Sequence, residues 1–194
     1  EFLVPNATTT EPDLAELAQL VPIHLKEEAR RAHSRDSSRA VPDGLPVAVA
    51  VPITTAQVAA ALSWANKHHS PVAVRGAGSG LSGGAMSYEG GLTISLLGFT
   101  QIEVDPTNLL ATVGAGVITA DLDRAASLHG LMYAPDPVRS ELSTIGGNIA
   151  TNAGGPRCLA YGVTADAVVA LETVLADGRV LRSGSRTVKN SSGL

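Results

Sequence analysis

Apolar and polar positions alternate along the chain in a way that separates a charged N-terminal stretch from a longer region where short strands and helices take turns. Val47 to Val51 is an apolar run that predicts a strand. Thr54-x-x-Gln57 then gives a capping-box spacing, and Val58, Ala61, Leu62 and Ala65 share one helical face until Ser70-Pro71 stops the helix. Val72 to Arg75 is a second strand, so residues 47–75 read as a βαβ unit. Leu92 to Leu96 predicts a further strand, and Gln101–Val104 and Leu109–Val113 form a hairpin around Asp105-Pro-Thr-Asn108. A helix from Thr119 to His129 closes on Gly130, followed by a strand from Leu131 to Ala134. Val168–Leu175 and Arg179–Leu181 are strands joined at Ala176-Asp177-Gly178. Residues 1–46 read as a leader, in which Asp13 and Glu16 cap a helix bearing Leu14, Leu17, Ala18 and Val21. Lys26–Arg35 is a charged segment, and Asp36–Pro46 a loop. Ser185–Leu194 is polar, with no closing element.

Composition narrows the chemistry. The 194 residues are 44% hydrophobic but only 3% aromatic, so the core is built from small aliphatic side chains. A net charge of −4 gives no global footprint for nucleic acid or anionic membrane, and any anion site must be local. Cys158, the one cysteine, excludes an intramolecular disulfide and reads as a packed thiol. Lys67, His68 and His69 sit where cations suit a helix C-terminus; the two histidines diverge around the helix and no metal site is expected. No apolar run approaches a membrane span and the N-terminus lacks signal-peptide features, so a cytoplasmic protein is expected, with peripheral membrane association left open.

Two glycine-rich segments remain. In Arg75-Gly-Ala-Gly-Ser-Gly-Leu-Ser-Gly-Gly84, five glycines follow the second strand and allow backbone amides to approach an anion, with Arg75 offering a positive charge at the mouth. A P-loop is excluded because no Lys-Ser/Thr follows the last glycine. A dinucleotide fingerprint can be laid on Gly78, Gly80 and Gly83, with Glu103 about twenty residues on, but no helix opens after it. The second segment is Ser143-Thr-Ile-Gly-Gly-Asn-Ile-Ala-Thr-Asn-Ala-Gly-Gly155, read as a loop whose Thr and Asn side chains face an extended polar ligand.

Four stretches in order carry a family resemblance. They are Val51-Pro-Ile-Thr-Thr-Ala-Gln-Val58, the first glycine segment, Pro135-Asp-Pro137 with the second glycine segment, and Tyr161-Gly162 with Leu171-Glu-Thr-Val-Leu-Ala-Asp-Gly178. From about Ser34 onward the chain resembles the FAD-binding domain of the vanillyl-alcohol oxidase/p-cresol methylhydroxylase (PCMH-type) flavoproteins. Within that family it is most similar to the branch of glycolate oxidase, D-lactate dehydrogenase and D-2-hydroxyglutarate dehydrogenase. The resemblance implies an α+β, PCMH-type FAD-binding fold of two subdomains, 47–105 and 106–194, with FAD in the cleft, a truncated C-terminal edge and an absent cap domain.

It also implies a site. Arg75, Gly76, Ala77, Gly78, Ser79, Gly80, Leu81 and Ser82 would bind the pyrophosphate. Pro135, Asp136, Ser143, Thr144, Gly146, Gly147, Asn148, Ala150, Thr151, Asn152 and Gly155 would line the phosphates, ribityl chain and flavin edge. Gly162 and Val168 would lie near the adenosine. Residues 75–87 contain no His, so the implied FAD is non-covalent. The implied activity is oxidation of a small 2-hydroxy acid by hydride transfer to flavin N5, with substrate and catalytic base held by the cap domain, and this chain inactive alone. Quinone-linked or iron–sulfur electron acceptors are the implied partners. The alternatives are another alcohol substrate on the same domain, or a non-catalytic nucleotide-binding module.

Overall fold

A computed structural model describes residues 11–186, with side chains from Leu14 onward. The Asp13 side chain, and with it the proposed cap, therefore lies outside what is described, as do residues 187–194 of the polar C-terminal stretch. The chain divides into two units: the first runs to Phe99 and takes back Val174–Arg179, and the second holds Thr100–Thr173 and the residues from Val180.

The first unit contains α1 (Glu11–Leu20), β1 (Ile23–His24), α2 (Glu27–Ala32), β2 (Ala48–Ala50), α3 (Thr55–Lys67), β3 (Val72–Arg75) and β4 (Leu92–Ser95). Helix α3 starts at Thr54, whose hydroxyl accepts from the Gln57 backbone amide at 3.2 Å, while the Gln57 side-chain oxygen accepts from the Ile53 backbone amide at 2.8 Å. Its inward face carries Ala61, Leu62 and Ala65 as the periodicity predicts, together with Trp64, the largest fully buried side chain. His68 forms the C-cap, stacks on Trp64 and meets the Glu16 carboxylate at 3.2 Å, which ties α3 to α1. Lys67 joins the same carboxylate at 2.8 Å, and together these two partners hold the Glu16 pKa below the usual carboxylate range.

The sheet order is β1-β2-β4-β3, parallel except for the antiparallel edge strand β1. This corrects the simple βαβ reading, because β2 and β3 are not neighbours: β4 lies between them. All four β4 residues are buried, whereas Val74 of β3 is exposed. The strand buried on both faces takes the centre, and the one with an exposed face takes the edge, even though β4 carries Thr93 and Ser95 on one of its faces. Leu17 and Val21 of the N-terminal stretch complete the core with Ala48, Ala50, Leu92 and Ile94.

The second unit contains β5 (Ile102–Asp105), β6 (Leu110–Val113), α4 (Thr119–Ser127), α5 (Ile145–Thr151), α6 (Cys158–Tyr161), α7 (Thr164–Ala167), and the strands β7 (Ala170–Val174), all but its last residue, and β8 (Val180–Gly184). The β5–β6 hairpin is as expected; Asp105 accepts both the backbone amide and the side-chain amide of Asn108 across its turn. Gly130, at φ +70°, lies just past α4, with the Leu131 amide donating back to the Ala126 carbonyl. The predicted strand Leu131–Ala134 does not form: no neighbour pairs with it, and the Tyr133 amide instead donates to the Asp123 carboxylate at 2.9 Å.

The core of this unit is small, with Val117, Leu122 and Ile145 buried and Ile102, Val113, Tyr133 and Ile149 packed around them. Polar bonds supplement it. The Thr119 hydroxyl lies 2.8 Å from that of Ser143 and accepts from the Asn148 side-chain amide at 2.7 Å, all three groups being buried.

Candidate functional site

Strand β3 delivers the first glycine segment from its C-terminal end, the end of a parallel sheet where ligands gather. Gly76, Ala77, Gly78 and Ser79 are half-buried, and Gly80, Leu81 and Ser82 are exposed. Arg75 does not present its charge at the loop mouth. Its side chain is buried, and one terminal nitrogen donates to the carbonyls of His33 and Arg35, both at 2.9 Å. Burial pulls its pKa down, and the nearby Asp36 carboxylate works against that shift. The guanidinium lies where a Cβ on Gly78 would be, and Gly78 itself adopts φ +69°. Arg75 is thus a brace beneath the loop, and Gly78 is required both for its turn and for that close approach.

The segment behind the loop completes this arrangement. The Ser37 amide donates to the Gly80 carbonyl at 3.0 Å, and the Ser37 hydroxyl to the Gly78 carbonyl at 3.3 Å. In a trans peptide the N–H points opposite to the carbonyl it adjoins. Tying back the carbonyls of Gly78 and Gly80 therefore turns the amides of Ser79 and Leu81 toward the other side. A Cβ on Gly84 would meet nothing within 4 Å, and one on Gly80 only the Asp36 carboxylate at 4.0 Å. Such a loop can serve as an anion cradle, with the Ser79 and Leu81 amides turned away from the Ser37 segment and open space beside Gly80 and Gly84. Ser37 and Asp36 were missed as contributors. Their only sequence signal is the polar run Ser34–Ser38, which lies about 40 positions from its partners.

The second glycine segment is not the loop expected of it. Residues Ile145–Thr151 form helix α5, with the Thr144 hydroxyl accepting from the Gly147 amide at 3.3 Å and Asn152 closing it at φ 48°. Two adjacent glycines oppose a helix by about 1 kcal/mol each, so capping and tertiary bonds have to hold it. Gly146 is there because α5 lies against Ala115: a Cβ would come within 2.8 Å of the Ala115 Cβ, and the Gly146 amide donates to the Ala115 carbonyl at 2.9 Å.

The polar side chains of this segment bond within the protein, Ser143 and Asn148 in the interior and Thr151 and Asn152 at the surface. Ser143 and Asn148 bond Thr119, the Thr151 hydroxyl donates to the Gly147 carbonyl, and the Asn152 side-chain oxygen accepts from the Ala165 amide. Ala150 is exposed. What the segment can offer a ligand is chiefly main chain. Thr119, the hub of this network, was not singled out by the sequence; nothing local distinguishes it from any helix-start threonine.

Two cavities lie in the second unit. One of about 200 Å³ includes Thr119, Asp123, Arg124, Tyr133, Pro135, Asp136 and Arg157 in its walls. Arg157 pairs with Asp136 at 3.2 Å there. Burial pushes the Tyr133 phenol pKa up, opposed by the neighbouring Thr164 hydroxyl, although the phenol closes no hydrogen bond. The other, about 330 Å³, is lined by Ile149, Asn152, Thr164, Ala165, Val168 and Leu171, and so brings Asn152 and Val168 together. Gly155 approaches the Asp136 carbonyl too closely to admit a side chain, and the Cys158 sulfur accepts from the Gly155 amide. Gly162, at φ +80°, ends α6 with Asp166 against it. Among the described residues no helix is long and apolar enough to cross a membrane.

Comparison with known proteins identifies the family. The chain is 49% identical over 145 residues to a D-lactate dehydrogenase of Archaeoglobus fulgidus, covering 75% of this chain and 32% of that protein. It is 45% identical over 150 residues to the glycolate oxidase subunit GlcD of Bacillus subtilis, covering 77% and 32%. The chain thus spans about a third of the length of these curated relatives. Its fold matches that of an alkyldihydroxyacetonephosphate synthase with TM-score 0.80 at 20% identity, over 97% of this chain and 37% of the other. The FAD binding domain family matches residues 46–184, and the chain belongs to that family, with FAD as its cofactor.

Proposed function

We propose that the protein carrying this domain is an FAD-dependent oxidoreductase acting on a small 2-hydroxy acid of the glycolate or D-lactate type. Bound FAD would supply the hydride acceptor, at flavin N5. The residues of this chain bind and orient the cofactor. The amides of Ser79 and Leu81, backed by Gly76–Ser82, meet the pyrophosphate, and Arg75 acts through the loop rather than on the phosphates. The main chain around Pro135, Asp136 and Ser143–Gly155 lies along the phosphates, ribityl chain and flavin edge, while Gly162 and Val168 serve the adenosine half. Binding is non-covalent, because residues 75–87 offer no histidine for attachment. No residue here is assigned to proton transfer. A quinone or an iron–sulfur protein as electron acceptor fits a dehydrogenase of this kind.

The observation that carries the reading is the tied-back carbonyls of Gly78 and Gly80, in a chain 49% identical over most of its length to a D-lactate dehydrogenase. Anaerobic titration of the full-length protein with glycolate, D-lactate, L-lactate and D-2-hydroxyglutarate tests it. Bleaching of the flavin band by at least one D- or achiral 2-hydroxy acid is the expected result. Bleaching by none, in a protein that dithionite does reduce, refutes the substrate class.

A further inference from the structure

Asp36 and Ser37 belong to a stretch that reads as plain loop, yet Ser37 ties back the two carbonyls on which the functional reading rests. The Asp36 carboxylate accepts from the Ser38 amide at 2.9 Å through Oδ1, which fixes the backbone on either side of Ser37. Its Oδ2 is buried and closes no hydrogen bond. Burial alone would raise the Asp36 pKa, but the hydroxyl and amide of Ser38, with the Ala85 and Gly83 amides nearby, hold it below the ordinary carboxylate value. Ser37, so held, donates twice to carbonyls of the glycine loop. Arg75 grips the same segment from the other side through the His33 and Arg35 carbonyls.

We propose that Asp36 and Ser37 are positioning residues for the cofactor loop: Asp36 fixes the turn that presents Ser37, and Ser37 aligns the Gly78 and Gly80 peptides so that the following amides face the flavin pyrophosphate. The inference rests on the FAD reading of that loop. It assigns to the stretch between α2 and β2 a part in cofactor binding that does not depend on touching the cofactor. The opposite expectation comes from charge alone, since a carboxylate beside an anion cradle repels a dianion and its removal would tighten binding. The two accounts differ in sign.

FAD dissociation constants of the full-length protein, measured by flavin fluorescence after reconstitution of the apoprotein, decide the matter alongside apoprotein melting temperatures. Ser37→Ala removes one neutral hydrogen bond and should weaken FAD about fivefold, with Ser37→Thr within about twofold of wild type. Asp36→Ala should weaken it about tenfold, and Asp36→Asn, whose side-chain oxygen still accepts from the Ser38 amide, should recover most of that loss. Wild-type affinity in Ser37→Ala, or tighter binding in Asp36→Ala, overturns the proposal. If Asp36→Ala folds poorly, Ser37→Ala decides alone, because its side chain is exposed and its loss leaves packing intact. Failure of the wild type itself to take up FAD would refute the FAD reading instead, and is read separately.

Discussion

Gly155→Ala is expected to destabilise the second unit by about 3 kcal/mol and to abolish FAD retention through purification. An ideal Cβ at this position would overlap the Asp136 carbonyl oxygen, with the carbonyl carbon 2.5 Å away and the Pro137 Cα 3.1 Å away. Every one of these neighbours is backbone, so no rotamer change relieves the clash. Proline at 135 and 137 fixes φ on both sides of Asp136 and limits what the partner can give. Movement of Gly155 would in turn break its amide bond to the Cys158 sulfur and pull on the Asp136–Arg157 pair. Urea denaturation with the flavin-to-protein absorbance ratio checks both parts. A stable, yellow Gly155→Ala protein would mean that the 135–137 stretch moves freely.

Arg75→Ala has the second large effect. It removes a charged donor from two carbonyls in partly buried bonds, each such bond contributing about 1.5–3 kcal/mol, and leaves Asp36 without the opposite charge beside it. The expected outcome is a loss of about 3 kcal/mol in stability and at least a hundredfold in FAD affinity, because the loop and the segment behind it come apart together. Arg75→Lys should recover only part, since an ammonium on a flexible stem replaces a planar fork. The alternative, in which Arg75 meets the phosphates directly, predicts a large affinity loss with the melting temperature unchanged, together with a steep salt dependence in the wild type. Melting curves and FAD titrations at two ionic strengths separate them.

These two residues also show how far the sequence reaches. Local pattern carried the α3 helix, the β5–β6 hairpin and the Ala176–Gly178 turn, since each is set by residues within about a dozen positions of one another. The two glycine segments stand out in the sequence for the same reason, because glycine spacing and the flanking strand are local features. Non-local outcomes were not legible. Whether β4 sits beside β2 depends on which strand is buried on both faces, and that is settled by α1, α3 and the sheet together.

Helix α5 illustrates the same limit from the opposite direction. Gly146 and Gly147 argue for a loop, and they are overruled by the Thr144 cap, the Ala115 contact and the buried Asn148–Thr119 bond, whose partners lie 29 positions apart. Arg75 reads as a phosphate ligand from its place in the motif. Only the fold reveals that His33 and Arg35 present carbonyls to it from about 40 residues upstream.

The glycine loop and the second segment are proposed above to hold FAD without a covalent link. The most direct test is the visible absorption spectrum of the purified full-length protein, followed by denaturation, filtration and chromatography of the filtrate. The account predicts a flavin spectrum, complete release of the colour into the filtrate, and co-elution of the released compound with FAD. Colour that stays with the denatured chain would contradict the non-covalent site. A protein that remains colourless after incubation with excess FAD would contradict the cofactor site altogether.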